Sequence, residues 1–479
     1  MKKIVQHISA FVLAGAILAS CSKKIDLAPT NTVNGEKFFT SVDDYEFALT
    51  GVYSRLKRNS LYSGINGGSV FLSGVDIAAD NFRSGPQNLG NLNTMFRWNY
   101  TADNDVIKGA WDAAYVVIQQ ANLSVRGIDR FRATAPKKVN RIEGQARTLR
   151  AFMHLELLRW WATDYDRNSA SPGVPYVDVF DIEQKPARPT VKQTYDRMEA
   201  DLKTAKALLS DTDVPVQSVT STASANRFYV DSLVVNAILA RMYLYANQLD
   251  SAIKYSTYVI NARPLATAAE FPLIWQDVSS KEVIWSVNYQ TIDAPLAREI
   301  YRPAVVTEDE ERSWLPVTAL TSAYQGADVR GPAYFTTRFG VTVLNKYFAK
   351  AGVSRPDGIV NFKVFRTAEM YLIRAEALAR KNLDQSSLAD LNALRTARSA
   401  TAGAEAGAAL LTAIQTERRK ELVVEGHRFF DLKRTVRTVN RTQNCSTFCT
   451  LLPDNRAWSL PVPQTEIIAN PNMQQNPGY

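Results

Sequence analysis

One short stretch, ERRKELVVEGHRFFDLKR from Glu417 to Arg434, holds the residue types from which an acid–base site could be made. It carries carboxylates at Glu417, Glu421, Glu425 and Asp431 and an imidazole at His427, all within a few helical turns. The spacing argues instead for structure. Leu411, Ile414, Leu422 and Val423 give the segment an apolar side, while Glu417 with Lys420 and Arg418 with Glu421 stand three residues apart, where helical side chains meet. Gly426 then stops the helix. Phe429, Phe430 and Leu432 beyond it read as anchors onto the body of the domain, with Arg428 and Asp431 satisfying polar groups nearby. Buried ion-pair networks draw on the same residues as active sites do, and the expectation is that this stretch holds the fold rather than catalyses.

Other catalytic chemistry finds little support. A glycoside hydrolase needs two carboxylates across a cleft, and Asp76, Asp80, Asp103 and Asp309 are scattered with no spacing that singles out a pair. There is no glycine-rich phosphate loop, no GxSxG elbow and no histidine cluster. Cys445 and Cys449 lack the further Cys or His ligands of a zinc site, with only His7, His154 and His427 in the chain. No metal and no cofactor are expected. Binding chemistry is better supplied. Recognition of a sugar needs flat aromatic faces and short polar side chains on loops held by a rigid scaffold. Asp80, Asn81, Phe82, Arg83 and Trp98 in one irregular region, and Tyr289, Tyr301 and Trp314 in another, are the candidate ligand contacts, with Trp98 and Trp314 as a stacking platform. Trp111, Trp160, Trp161 and Trp285 sit in helical stripes or strands and read as core.

The elements that must position these residues are mostly helical. Tyr45, Leu49, Val52 and Leu56 share a face in residues 38–58. Val106, Ala110, Ala113, Val117 and Ala121 form a second stripe, and Ile142, Ala146, Leu149, Met153, Leu157 and Trp160 a third. Thr190 with Gln193 makes a capping box for a helix carrying Tyr195, Met198, Leu202 and Leu209. Leu233, Ala237, Ala240 and Leu244 then face Ala252, Ile253, Ser256 and Ile260 across a turn at 247–249, and residues 368–381 with 386–398 repeat the arrangement. The pairs resemble tetratricopeptide (TPR) hairpins but do not keep that repeat's fixed period, so the predicted fold is a mostly α, TPR-like scaffold with irregular insertions. Residues 59–104 and 262–361 are those insertions. EVIWSVNY and VTVLNKYF inside the second alternate like short strands, and an extended tail closes the chain.

The N-terminal residues bear on compartment. Lys2 and Lys3 precede an apolar run from Ile8 to Ala19, too short to span a bilayer but suited to a signal peptide. Leu18-Ala19-Ser20-Cys21 matches a bacterial lipobox, so residues 1–20 are expected to be removed and Cys21 lipidated, leaving 21–34 as a tether and 35–479 as one domain. Cys445 and Cys449 then remain as an even pair, expected to close a disulfide in an oxidising compartment. At 46% hydrophobic and 22% charged residues the 479-residue chain can bury a large core. The formal charge of +9 is interspersed with acids along the chain, which argues against nucleic acid as a partner.

The run ERR-x-EL-x-x-EG-x-R-x-x-DL-x-R, together with the closing NPNMQQNPGY and the opening ASCSKKIDLAP, resembles the SusD/RagB family of outer-membrane nutrient-binding lipoproteins. The resemblance implies a non-enzymatic, palmitate-bearing protein, lipid-anchored at the outer membrane and facing the exterior. It further implies a loop-built site for oligosaccharide or another nutrient, and a TonB-dependent SusC-like transporter as partner, met by the TPR-like face. The alternatives are a TPR-type scaffold that grips peptides and a glycan-processing enzyme.

Overall fold

The computed structural model describes residues 38–57, 60–62, 69–90, 92–210, 227–290, 292–293, 296–302, 311–353 and 357–479. The signal peptide, Cys21, the tether and Asp309 lie outside them.

Helix α1 (Val42–Arg55) starts at a capping box: Ser41 Oγ accepts from the Asp44 amide while Asp44 Oδ2 accepts from the Ser41 amide at 2.7 Å. It packs against α2 (Asp105–Leu123) and α3 (Pro136–Trp161), whose predicted stripes are buried except at Val106, which is half-buried. Helix α4 (Val191–Leu208) opens on the box read in the sequence, Gln193 N to Thr190 Oγ1 at 3.1 Å and Thr190 N to Gln193 Oε1 at 2.9 Å. It lies close on α3. A Cβ at Gly144 would come within 2.7 Å of Leu209 Cγ, so glycine there sets the approach.

Helices α5 (Ser232–Tyr245) and α6 (Leu249–Ala262) form the first hairpin, and α7 (Thr367–Arg380) with α8 (Asp384–Ala397) the second. Both turns pass through a left-handed asparagine, Asn247 at φ 58° and Asn382 at φ 59°, a backbone region that asparagine tolerates better than most residues. The hairpins stack through α6 and α7. Arg241 on α5 cements the stack, donating to both Glu369 carboxylate oxygens on α7 at 2.7 and 2.8 Å. Helix α9 (Gly407–Glu421) adds Leu410 and Ile414 to a satellite apolar cluster with Leu372, Ala375, Leu391 and Leu394. About half of the structure is helical, and the TPR-like architecture is the one expected.

The described strands form five small antiparallel pairs. One joins the two irregular regions: β1 (Phe82–Ser84) pairs with β5 (Trp314–Pro316) in the register Phe82↔Pro316, Arg83↔Leu315, Ser84↔Trp314. Both strands predicted from alternation are present, β2 (Val283–Val287) against β8 (Phe362–Arg366) and β7 (Val341–Leu344) against β6 (Phe335–Arg338). The remaining pairs are β3 (Tyr301–Arg302) with β4 (Glu311–Arg312), and β9 (Val439–Asn440) with β10 (Thr450–Leu451). The C-terminal tail runs back over α3. Leu460 N donates to Trp160 O at 2.9 Å, and Asn476 Nδ2 donates to Trp161 O at 2.8 Å.

Candidate functional site

The acid-rich stretch is the electrostatic centre of the fold. Helix α9 ends at Glu421, five residues before the stop expected at Gly426, and α10 (Arg428–Arg434) follows a tight turn. Gly426 adopts φ 78°, and a Cβ there would meet Phe71 O at 2.6 Å, so glycine lets the turn between α9 and α10 approach the backbone at Phe71. Glu421 is fully buried and bonded to three guanidinium groups: Arg366 at 2.8 Å, Arg398 at 2.9 Å and Arg330 at 3.1 Å. Burial alone would raise its pKa, but Arg398, Arg366 and Arg330 hold it far below the ordinary carboxylate range. Glu282 accepts from Arg366 and Arg398 at 2.7 and 2.8 Å, and Glu425 from Arg366 at 2.6 Å and Lys346 at 2.5 Å. Of the two helical pairs expected, Glu417–Lys420 forms at 3.7 Å. Arg418 turns instead to Asp431 at 3.0 Å, because Glu421 is already surrounded by arginines. His427 is buried and neutral, held there by desolvation and then by Arg241 and Arg159. Each of these acids faces a cation, and Phe429, Phe430 and Leu432 are buried against Trp160 and its surroundings. The arrangement is that of a scaffold.

The loop residues divide sharply. Asp80 receives both arms of Arg428 at 2.7 and 2.8 Å. Burial would raise its pKa, but the Arg428 charge overrides this and holds it at about 2. Asn81 is buried, donating to Asp76 Oδ1 at 2.7 Å and accepting from Arg419 at 2.8 Å. Asp76 is itself buried beneath it, which pushes its carboxyl up to about 7, and Asp103 is exposed elsewhere. Phe82 is core. Tyr289 is buried with its hydroxyl on Tyr62 O at 2.7 Å, and Tyr301 is buried against Phe348, ring centroids 5.8 Å apart.

Trp314 is fully buried under Phe96, 5.0 Å from its ring, because the β1–β5 pairing turns it inward. The two-tryptophan platform is therefore corrected. In this conformation Asn81, Phe82, Tyr289, Tyr301 and Trp314 support the loop face from beneath, and Trp98 and Arg83, both half-buried, are the predicted residues left to meet solvent. Arg83 makes no ion pair among the described residues.

Trp98 is held in place from two directions. Its indole N–H donates to Ala78 O at 2.9 Å, and the Arg441 guanidinium lies 4.0 Å from its ring, with the Phe96 ring at 3.9 Å from the same group. Its backbone is left-handed, φ 54°, an unusual state for so bulky a residue. Elsewhere on the loops the structure exposes two aromatics that sequence reasoning misses. Phe448 lies in the Cys445–Cys449 loop, and Phe339 sits at the β6–β7 turn with Arg312 at 5.4 Å, which itself bonds Gln87 at 3.1 Å. Only the placement of a phenylalanine beside glycine or cysteine in a turn marked them. A separate groove of about 1000 Å³ runs between α2, residues 175–186 and the 464–469 helix, lined in part by Tyr115, Phe180, Ile182 and Glu466. None of the predicted site residues line it.

A helical-pair scaffold carrying an irregular aromatic face on paired loops defines the class of protein. Sequence models of two families match, "SusD family" over residues 318–479 and "Starch-binding associating with outer membrane" over residues 44–245. SusD-like protein P2 of Formosa agariphila is 25% identical over 98% of this chain and 99% of its own. A SusD superfamily structure from Bacteroides thetaiotaomicron superposes with a TM-score of 0.79 at 24% identity, covering 91% of this chain and all of that one. A SusD-like carbohydrate binding protein from Bacteroides vulgatus gives 0.75 at 24% identity, covering 91% and 98%. Together the two models and these relatives support a SusD/RagB family protein.

Proposed function

We propose that this protein is a lipid-anchored binding protein of the outer membrane that captures an oligosaccharide on its loop face and passes it to a TonB-dependent, SusC-like transporter. The observation that carries the reading is Trp98. A large aromatic left half-exposed in a strained backbone conformation, and braced by Arg441 and Ala78 O, is a prepared flat surface. The family descriptions and the carbohydrate-binding relative support the ligand class. Binding without cleavage is supported by the state of the candidate acids: Asp80 is committed to Arg428, Asp76 is buried, and the acids of the 417–434 stretch are locked to arginines and lysines. Anchoring rests on Cys21, and none of the described helices is long and apolar enough to cross a membrane.

Calorimetry of the purified protein against a polysaccharide panel, paired with a reducing-end assay, tests the reading. Trp98→Ala should weaken binding by roughly 1–4 kcal/mol and leave the fold intact. Product release, or undiminished affinity in Trp98→Ala, would count against it. Trp314→Ala should instead unfold the protein more easily, by roughly 3–5 kcal/mol, as a core truncation does.

A further inference from the structure

The Cys445–Cys449 loop is held with far more bonding than its size requires. The β9–β10 ladder closes its base, Arg441 N donates to Cys449 O at 2.8 Å, and the disulfide crosses it. Gln443 Oε1 accepts from the Thr318 amide at 2.6 Å, tying the loop to the chain after β5. The Arg441 side chain does most. It donates to five carbonyl oxygens, those of Ile77, Ala78, Ala79, Phe96 and Phe448, at 2.6–3.0 Å, while lying between the Phe96 and Trp98 rings. One guanidinium therefore fixes both the ring of Trp98 and the backbone of Phe448.

What this bracing presents is not core. Phe448 is 45% exposed, and Ser446 and Thr447 beside it are exposed as well. Phe448 (φ 58°) is left-handed, as Trp98 is, an uncommon state for a bulky residue. A loop that ties the backbone of an exposed phenylalanine to the same guanidinium that lies over a half-exposed indole, with hydroxyl side chains next to it, has the chemistry of two neighbouring ring subsites. The Arg441 charge is saturated by carbonyls, and residues 442–449 carry no acidic or basic side chain. The matching ligand chemistry is a run of uncharged sugar rings.

Resting on the carbohydrate reading above, we propose that the disulfide loop supplies a second carbohydrate-ring subsite, Phe448, beside Trp98, and so sets the chain length the protein retains.

The detergent-solubilised full-length protein would be titrated with glycogen, laminarin and xylan, and then with size-fractionated oligosaccharides of whichever polysaccharide binds. Phe448→Ala should weaken binding of the longer fractions roughly tenfold, the loss typical of one contact aromatic, and leave the shortest bound fraction unchanged. Phe448→Tyr should restore the longer fractions. Thermal unfolding midpoints are measured alongside, and should Phe448→Ala fail to fold, Phe448→Gln gives the same comparison. Unchanged affinity at every length overturns the subsite and leaves the carbohydrate reading standing. Equal loss at every length also overturns it, because the loop would then act only through Trp98. Failure of the unaltered protein to bind any of the glycans removes the carbohydrate reading and the subsite with it.

Discussion

Asp80 shows how a loop residue that looks like a sugar contact can be committed elsewhere. Its carboxylate has an ordinary pKa of 3.8 in the unfolded chain and about 2 in the fold, where the Arg428 charge outweighs burial. A depressed carboxylate contributes stability that is fully present above pH 4 and is lost as pH falls through about 2. The difference corresponds to about 2 kcal/mol. Urea unfolding followed between pH 5 and pH 2 should show the loss, and Asp80→Asn should flatten the curve by about one proton. A parallel curve in the variant would mean that Arg428 holds the loop without this charge. The pairing was not legible in the sequence, since Arg428 lies 348 positions away and nothing local to Asp80 distinguishes a salt-bridged aspartate from a ligand contact. Trp314 was misread for the same reason: its inward turn is set by a strand partner in the other irregular region.

Elements were far more legible where the signal is local. The stripes on α2 and α3, the capping box of α4 and the two hairpins could all be read from periodicity and from residues within one or two turns. The exception is the end of α9, where the chain leaves the helix at Glu421 to meet buried arginines before Gly426 is reached. How elements are sealed to one another depends on distant groups. Lys433 on α10 donates to the carbonyls of Arg159 and Ala162 at the end of α3, at 3.3 and 2.6 Å, and to Ser459 Oγ at 3.2 Å. It closes a helix terminus that has no further turn to bond to. Lys433→Met keeps the length and leaves those carbonyls unmatched, and should cost roughly 1–3 kcal/mol in chemical denaturation. Amide exchange should also rise in the last turn of α3. An unchanged denaturation midpoint would show that water replaces the ammonium without penalty.

The body as a whole is organised about the charges that meet at Glu421. They come from β8 (Arg366), the residue after α8 (Arg398), the 330–334 helix (Arg330) and the residue before β2 (Glu282), so one buried cluster joins the second irregular region to the second hairpin and α9. Removing one member leaves buried cations without their counter-charge. Glu421→Gln is therefore expected to lower stability by roughly 3–5 kcal/mol, far more than a surface ion pair would. Thermal and urea unfolding measure it, and a loss below about 1 kcal/mol would show that the cluster readjusts. The overall fold could be read in advance because the helical pairs and the 417–434 stretch are both local patterns. The exposed aromatic face could not, because its geometry exists only after two distant loops have paired.

The charge cluster also acts as an inspection step in the assembly of the molecule. Glu282 and Glu421 lie well over a hundred residues apart and share Arg366 and Arg398, so a partly docked chain leaves part of this charge unmatched in an apolar interior and is disfavoured. Such closure separates finished copies from damaged ones, and leaves the damaged ones open to proteases.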